Sequence, residues 1–404
     1  MPREAAAALA ALSFQDRALV PDLTLWEFYD RERLTLLLRP PDGAAAPLLR
    51  ARESKNIERV ARLRSTFAEI STALAERGIE FAVLKGFSLW PDFVPELRRR
   101  LQYDLDFFCP ESVGAAHDAL RQLGYEPMRQ SEDLPTDHLT PLARPSAWRW
   151  SGDYFDLGIP IAVELHFRLW DEPTEGFAAP GLDAFWPRRI QREWDGLSYF
   201  GLALPDQLAQ VALHMLRHLL RGDVQISQVY EIAWFLHHRA ADDAFWDNWR
   251  VLHPAGLRRL EAIAFRLAEQ WFGCVLARAA LEEVDVLPPV LHYWFARHAA
   301  APVESFFHPN KSELLLHMAL LDSGRSRRAV LRRRLFPARL PAPGDAAFDS
   351  GKSLSTGLRL HRAWRRAVFA AERASRHLRT LLPALWQLSV EHWLGGSRRA
   401  PRSG

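Results

Sequence analysis

LKGFSLWPDFVPELRRRLQYDLDFF, residues 84–108, decides the fold. Side chains in a strand alternate between faces, so Asp104 and Asp106, either side of Leu105, point the same way. Two carboxylates on one face of a buried strand repel each other and lose solvation, an arrangement that a divalent cation between them stabilises. The same D-x-D spacing also suits a solvated edge strand with two acids on its outer face. Upstream, FAVLKG (81–86) is an apolar run ending in Lys85-Gly86, as in a core strand feeding a tight turn whose amides can hold a phosphate. Downstream, IPIAVELHFRLW (159–170) reads as a further apolar strand with Glu164 as its one carboxylate. The strands are expected at 80–84, 103–108 and 160–167.

These elements resemble the metal constellation of the DNA polymerase β-like nucleotidyltransferases. More closely, they resemble the bacterial family of uncharacterised nucleotidyltransferases. The resemblance rests on Leu84-Lys85-Gly86, on Arg100 four residues before Asp104-Leu105-Asp106, and on Val163-Glu164-Leu165-His166. It continues into LPDQLAQVALHMLRHLLRGDVQISQVYEIAWFL (204–236) and spans about residues 55 to 240. One departure is that Gly86 is followed by Phe87 and only then Ser88, so the usual Gly-Ser pair is absent.

The resemblance implies that Asp104, Asp106 and Glu164 are catalytic and hold two Mg²⁺ ions, with Mn²⁺ possible as a substitute. It implies that Lys85, Gly86, Ser88 and Arg100 bind the triphosphate of an NTP such as ATP. Against these roles stand simpler ones: Lys85 as a strand-end lysine reaching solvent, Arg98–Arg100 as a solvated loop. His166 shares the strand face of Glu164, where it could orient a ligand or acceptor or lie buried and hydrogen-bonded. His214 and His218, spaced i, i+4 on an expected helix, suit zinc, but without a third ligand the reading favours packing or acceptor contact.

The 404-residue chain suits an α+β organisation: a small mixed sheet with packed helices, followed by a mostly α-helical C-terminal region. The expected division is an N-terminal helical extension (1–50), the nucleotidyltransferase-like domain (51–204), a helical domain (205–340), and a linker with basic helices (341–404). Helices are expected at 52–78, ending at Gly78, and at 112–123, with Ser112 as N-cap. Beyond Pro205 they are expected at 206–221, 226–239, 243–251, 255–281, 286–299, 311–321, 325–335 and 358–394. Residues 126–152 read as a long loop, and 171–204 as a cover for the sheet edge. DSGKS (349–353) lacks the spacing and the preceding strand of a phosphate-binding loop and is treated as linker.

Hydrophobic residues make up 48% of the chain, ample for a packed core, yet no apolar stretch is long enough to span a membrane. The N-terminal MPREAAAALAALSFQDR contains Glu4 and no proper apolar segment, so a secretory signal is not expected. Two cysteines, Cys109 and Cys274, give neither a disulfide framework nor a Cys-based zinc site, which points to a reducing cytoplasm. Residues 325–404 hold 18 Lys/Arg against 4 Asp/Glu, so the net +3 divides into +14 there and −11 in the rest. Such a tail can bind nucleic acid, anionic lipid or an acidic protein, or dock on its own body through Arg359, Arg362, Arg365, Arg366 and Arg373.

The favoured reading is an enzyme moving an NMP from an NTP to a hydroxyl-type acceptor on a small molecule, peptide or protein. The alternative is a non-catalytic binding or scaffolding protein that retains the fold. A third is nucleic-acid modification guided by the basic tail.

Overall fold

A computed structural model describes residues 3–15, 23–38, 46–129, 137–335, 346–348 and discontinuous positions between 360 and 386. Among the described residues, seven strands form one mixed sheet. They are β1 Ala82–Leu84, β2 Asp104–Phe108, β3 Glu126–Pro127, β4 Leu142–Ala143, β5 Ala162–His166, β6 Ile190–Trp194 and β7 Leu197–Gly201. The order across the sheet is β3-β4-β5-β2-β1-β7-β6. The three strands legible in the sequence are central neighbours: β1 runs antiparallel to β2, and β2 parallel to β5.

The first helices are α1 Arg3–Ala10, α2 Trp26–Arg31, α3 Ala46–Ala75, α4 Val113–Gln122 and α5 Glu172–Glu175. From Leu204 the chain is helical: α6 Leu204–Arg221, α7 Ile226–His238, α8 Asp243–Leu252, α9 Ala255–Phe272 and α10 Arg278–Asp285. It continues with α11 Pro289–His298, α12 Ala301–Glu304, α13 Ser312–Leu320 and α14 Gly324–Leu335. No helix among the described residues is long and apolar enough to cross a membrane.

Two cores sandwich the sheet. Leu63, Phe67, Ile70 and Leu74 recur at helical spacing along α3 and pack with Val83, Leu105, Phe107, Val163 and Leu165 of the sheet. Burying Phe67 alone contributes about 2–3 kcal/mol. Because strand side chains alternate, this packing turns Asp104, Asp106 and Glu164 to the opposite face. There Ala82, Leu84 and Phe108 join the core of residues 8–38 and the helices from α6 onward. The acids therefore lie between the sheet and the helical half.

Gly78, at φ 64°, closes the segment after α3, with Ile79 N–H bonded to the Leu74 carbonyl at 3.0 Å. Several expectations change. α3 opens at Ala46, six residues early. Ser112 occupies the N-cap position, but its hydroxyl makes no capping bond. The single helix expected at 255–281 is two, because Gly273 adopts φ 63° at the end of α9. Residues 171–204 supply the β6–β7 hairpin rather than only a cover. Its turn is Asp195-Gly196, both at positive φ, the two-residue chemistry that matches strand twist. The loop expected at 126–152 carries β3 and β4.

The tail begins docked. Arg333 of α14 donates to the Pro173 carbonyl at 2.9 Å, and Arg334 lies 3.6 Å from Glu313. Arg359, Arg362, Arg365, Arg366, Arg373 and the DSGKS segment lie outside the described residues.

A buried ionic network ties the helical half together. His253 sits between Asp206 of α6 at 3.2 Å and Glu261 of α9 at 3.0 Å, all three without solvent exposure. Arg188 donates to both Asp206 oxygens, at 2.9 and 2.6 Å. Burial alone pushes the His253 pKa down, but Glu261 and Asp206 override it and raise it to about 9. The folded value lies above the ordinary 6.5, so this stabilisation is full below 6.5 and is lost as pH rises through about 9. His253→Gln should remove a pH-dependent stability on the order of 2–3 kcal/mol from that window. Thermal melts of both proteins across it check this, and parallel pH profiles would refute it.

Candidate active site

The site is built from the end of β1 outward. Lys85, at φ 48° and ψ −158°, adopts a conformation that non-glycine residues rarely hold, a strain that collects at functional sites. Gly86 follows at φ 59°, a backbone conformation that favours glycine, and a Cβ there would force the Gln102 amide to move. Phe87 enters the α3-side core, stacking on Trp194 at 4.0 Å and meeting Phe67 at 4.9 Å. The turn is thus anchored by an aromatic at the position after its glycine. Ser88 is fully buried, its hydroxyl donating to the Lys85 carbonyl at 2.6 Å while Gln207 donates to its carbonyl at 2.8 Å. That hydroxyl closes the turn and does not face outward.

The twisted turn aims the Lys85 ammonium inward, where it meets Asp106 Oδ1 at 2.7 Å. Asp106 and Glu164 are register partners on parallel strands, so their carboxylates stand side by side. His166 Nε2 bridges them, 3.1 Å from Asp106 Oδ1 and 3.5 Å from Glu164 Oε2. Asp106, Lys85 and His166 are buried, while Glu164 keeps 20% side-chain exposure. Asp104, half-buried, lies two residues along on the same face.

Asp106, Glu164 and His166 offer ligand atoms that all lie within 4.8 Å of one another. A cation bonded to two of them at about 2.1 Å would set those atoms at most about 4.2 Å apart, so small side-chain movements close the cage. Two carboxylates with an imidazole suit Mn²⁺ as well as Mg²⁺. The expectation placed Asp104, Asp106 and Glu164 as the converging set. All three share the face, but the tight trio holds His166 in place of Asp104. The Asp104 charge still acts on Lys85 and Glu164.

The site's ionisation follows from burial fought by charge. Burial pushes the Lys85 pKa down, yet Asp106, Glu164 and Asp104 raise it above its ordinary value, keeping the ammonium. His166 is likewise pushed down by burial, but Asp137 and bonds to Asp106, Asp137 and Glu164 raise it to about 10, so it is an imidazolium at neutral pH. Glu164, raised by burial, is held well below the usual carboxylate range by His166, His138 and Lys85.

Sequence reasoning missed three residues of this cluster. Asp137 faces His166 Nδ1 at 3.5 Å and forms a buried ion pair with Arg217 of α6. His138 lies 3.9 Å from Glu164. Asp137-His138 sits in an aperiodic, Pro-rich stretch with no signal in the chain itself. Arg217 was detectable, being a charged residue one turn past His214 on a helix of strong apolar periodicity.

The remaining sequence candidates lie around this centre. Arg100 pairs with Glu231 of α7 at 2.8 Å, joining the approach to β2 with the helical half. His218 meets Asp223 at 3.2 Å. His214 is pushed well below its ordinary pKa by burial and by Lys85, His218 and Arg217, so it is neutral. Its Nδ1 accepts from Arg217 Nη2 at 3.1 Å, which puts its proton on Nε2. The partner at 3.1 Å from Nε2 is the Gln228 amide, and a half-turn of that amide presents Oε1 as the acceptor. Neither His214 nor His218 belongs to a metal-ligating group among the described residues.

A sequence model of the family described as uncharacterised nucleotidyltransferase matches residues 28–273. That span takes in the sheet, the acidic cluster and α6 through α9. No curated protein matches the chain.

Proposed function

The chain belongs to the uncharacterised nucleotidyltransferase family, and from that membership and the site's geometry we propose that it transfers an NMP from an NTP to a hydroxyl-type acceptor. The observation that carries this is the pairing of Asp106 and Glu164 on adjacent parallel strands, with Asp104 on the same face and Lys85 at its edge. Asp104, Asp106 and Glu164 would hold divalent cations, Mg²⁺ or Mn²⁺, and His166 would add a ligand atom on giving up its Nε2 proton. When bound, these ions supply the positive charge that polarises the α-phosphate and stabilises the leaving pyrophosphate.

The chain's own residues do the rest. The Lys85 ammonium, freed from Asp106 as the site fills, bonds a phosphate oxygen as a point charge. Amides of the Gly86 turn add directed donors. His166, held by Asp137 and Arg217, keeps the two carboxylates oriented. The acceptor oxygen attacks the α-phosphorus, the α–β bridging P–O bond breaks, and its electron pair leaves with pyrophosphate. A site carboxylate takes the acceptor's proton. The α6–α7 side, with His214 and Gln228, faces the acceptor.

One observation favours the non-catalytic alternative: Lys85 already neutralises the buried Asp106 at 2.7 Å, as a cation would. An NTP screen by thermal shift separates the two readings. An NTP with Mg²⁺ at a hundredfold excess over Kd should stabilise the protein by about 2.7 kcal/mol, and Mg²⁺ omission should abolish the shift. Failure of every NTP to move the melt would leave the non-catalytic reading standing.

A further inference from the structure

The basic C-terminal segment presents an apolar face at its described positions that no other described residue covers. At the described helical positions, Leu360, Trp364 and Val368 are 67%, 68% and 36% exposed, and Leu378, Leu382 and Trp386 are 58%, 63% and 69% exposed. Each trio is spaced i, i+4, i+8, which confines its side chains to an arc of about 80° on a helix. The second trio repeats the first after 18 residues, or five turns. The opposite side is already used: Leu381 is buried with Leu314, Met318, Leu321 and Val330 of α13 and α14. The exposed stripe is therefore not the side that holds the segment to the body.

Charge says what fits the stripe. Residues 359–379 interleave seven arginines with one glutamate, Glu372. An apolar stripe with two tryptophans, in a strongly cationic segment, matches a surface that is apolar within and anionic at its rim. A second copy presenting the same face would bring two arginine-rich segments together and repel. RNA would take the arginines and could stack on the two tryptophans, but would leave Leu360, Val368, Leu378 and Leu382 in water. We propose that this face seats the protein on an anionic lipid surface, with Trp364 and Trp386 at the headgroup level and the segment's net positive charge supplying the attraction. The segment lies on the bilayer and does not span it.

Flotation of the full-length protein tests this, using vesicles of phosphatidylcholine alone or mixed equally with phosphatidylglycerol. The mixed vesicles should carry the protein and the neutral ones should not, and high salt should release it. Trp364→Glu/Trp386→Glu should weaken partitioning by roughly tenfold or more while leaving the melting temperature unchanged, because both rings are solvent-exposed. Wild-type tryptophan emission should shift to the blue on the mixed vesicles. The proposal fails if the protein ignores anionic vesicles, if the double variant floats as well as wild type, or if only RNA is retained. None of these readouts depends on nucleotidyl transfer.

Discussion

Asp104→Asn is expected to lower nucleotidyl transfer by about 10³-fold or more, about 4 kcal/mol in the barrier, with little loss of stability. Asparagine keeps the shape and removes the charge. Asp104 is half-buried and makes no ion pair among the described residues, so the fold should lose less than about 1 kcal/mol. Asp106→Asn separates the roles by contrast. It leaves the buried Lys85 and His166 without the anion they share, so it should lose activity and also about 3–5 kcal/mol of stability. Pyrophosphate release and denaturant melts on the same preparations measure both. An Asp104→Asn protein that retains activity would remove that residue from the catalytic set.

Asp137→Ala should be the most destabilising single change outside the acid trio, at about 3–5 kcal/mol. It strands Arg217, itself buried, and leaves His166 Nδ1 facing no anion. His166 would then hold the carboxylates less well, lowering activity by about 10–100-fold through orientation alone. Asp137→Ala/Arg217→Met should recover most of the stability, since no uncompensated charge remains, without recovering the activity. If the double variant is as unstable as the single one, the ion pair is not what Asp137 contributes.

The central fold was legible because its signals are local. Apolar runs at 80–84, 103–108 and 160–167 became adjacent strands, and the alternation around Leu105 placed both aspartates on one face. Glu164 fell on that face because it is the register partner of Asp106. What escaped was set by contacts distant in sequence. Asp137 gains meaning only from partners distant in sequence, His166 and, eighty residues on, Arg217. His166 replaces Asp104 in the tight trio because ring reach, not strand alternation, decides which ligand atoms meet. The β6–β7 hairpin is the exception, since its Asp195-Gly196 turn is a local signal. Ser88 carried a nucleotide-binding expectation by its position after the glycine, yet Phe87 takes the core and leaves Ser88 closing the turn.

Which phosphate bond the protein cleaves tests the central claim most directly. With NTP, a divalent cation and water standing in for the acceptor, slow turnover should yield NMP and pyrophosphate, visible by ³¹P NMR and absent in Glu164→Gln. NDP with orthophosphate would place attack at the γ-phosphorus and contradict nucleotidyl transfer. Identical NMP release from wild type and Glu164→Gln would show that this acidic cluster is not where the reaction occurs.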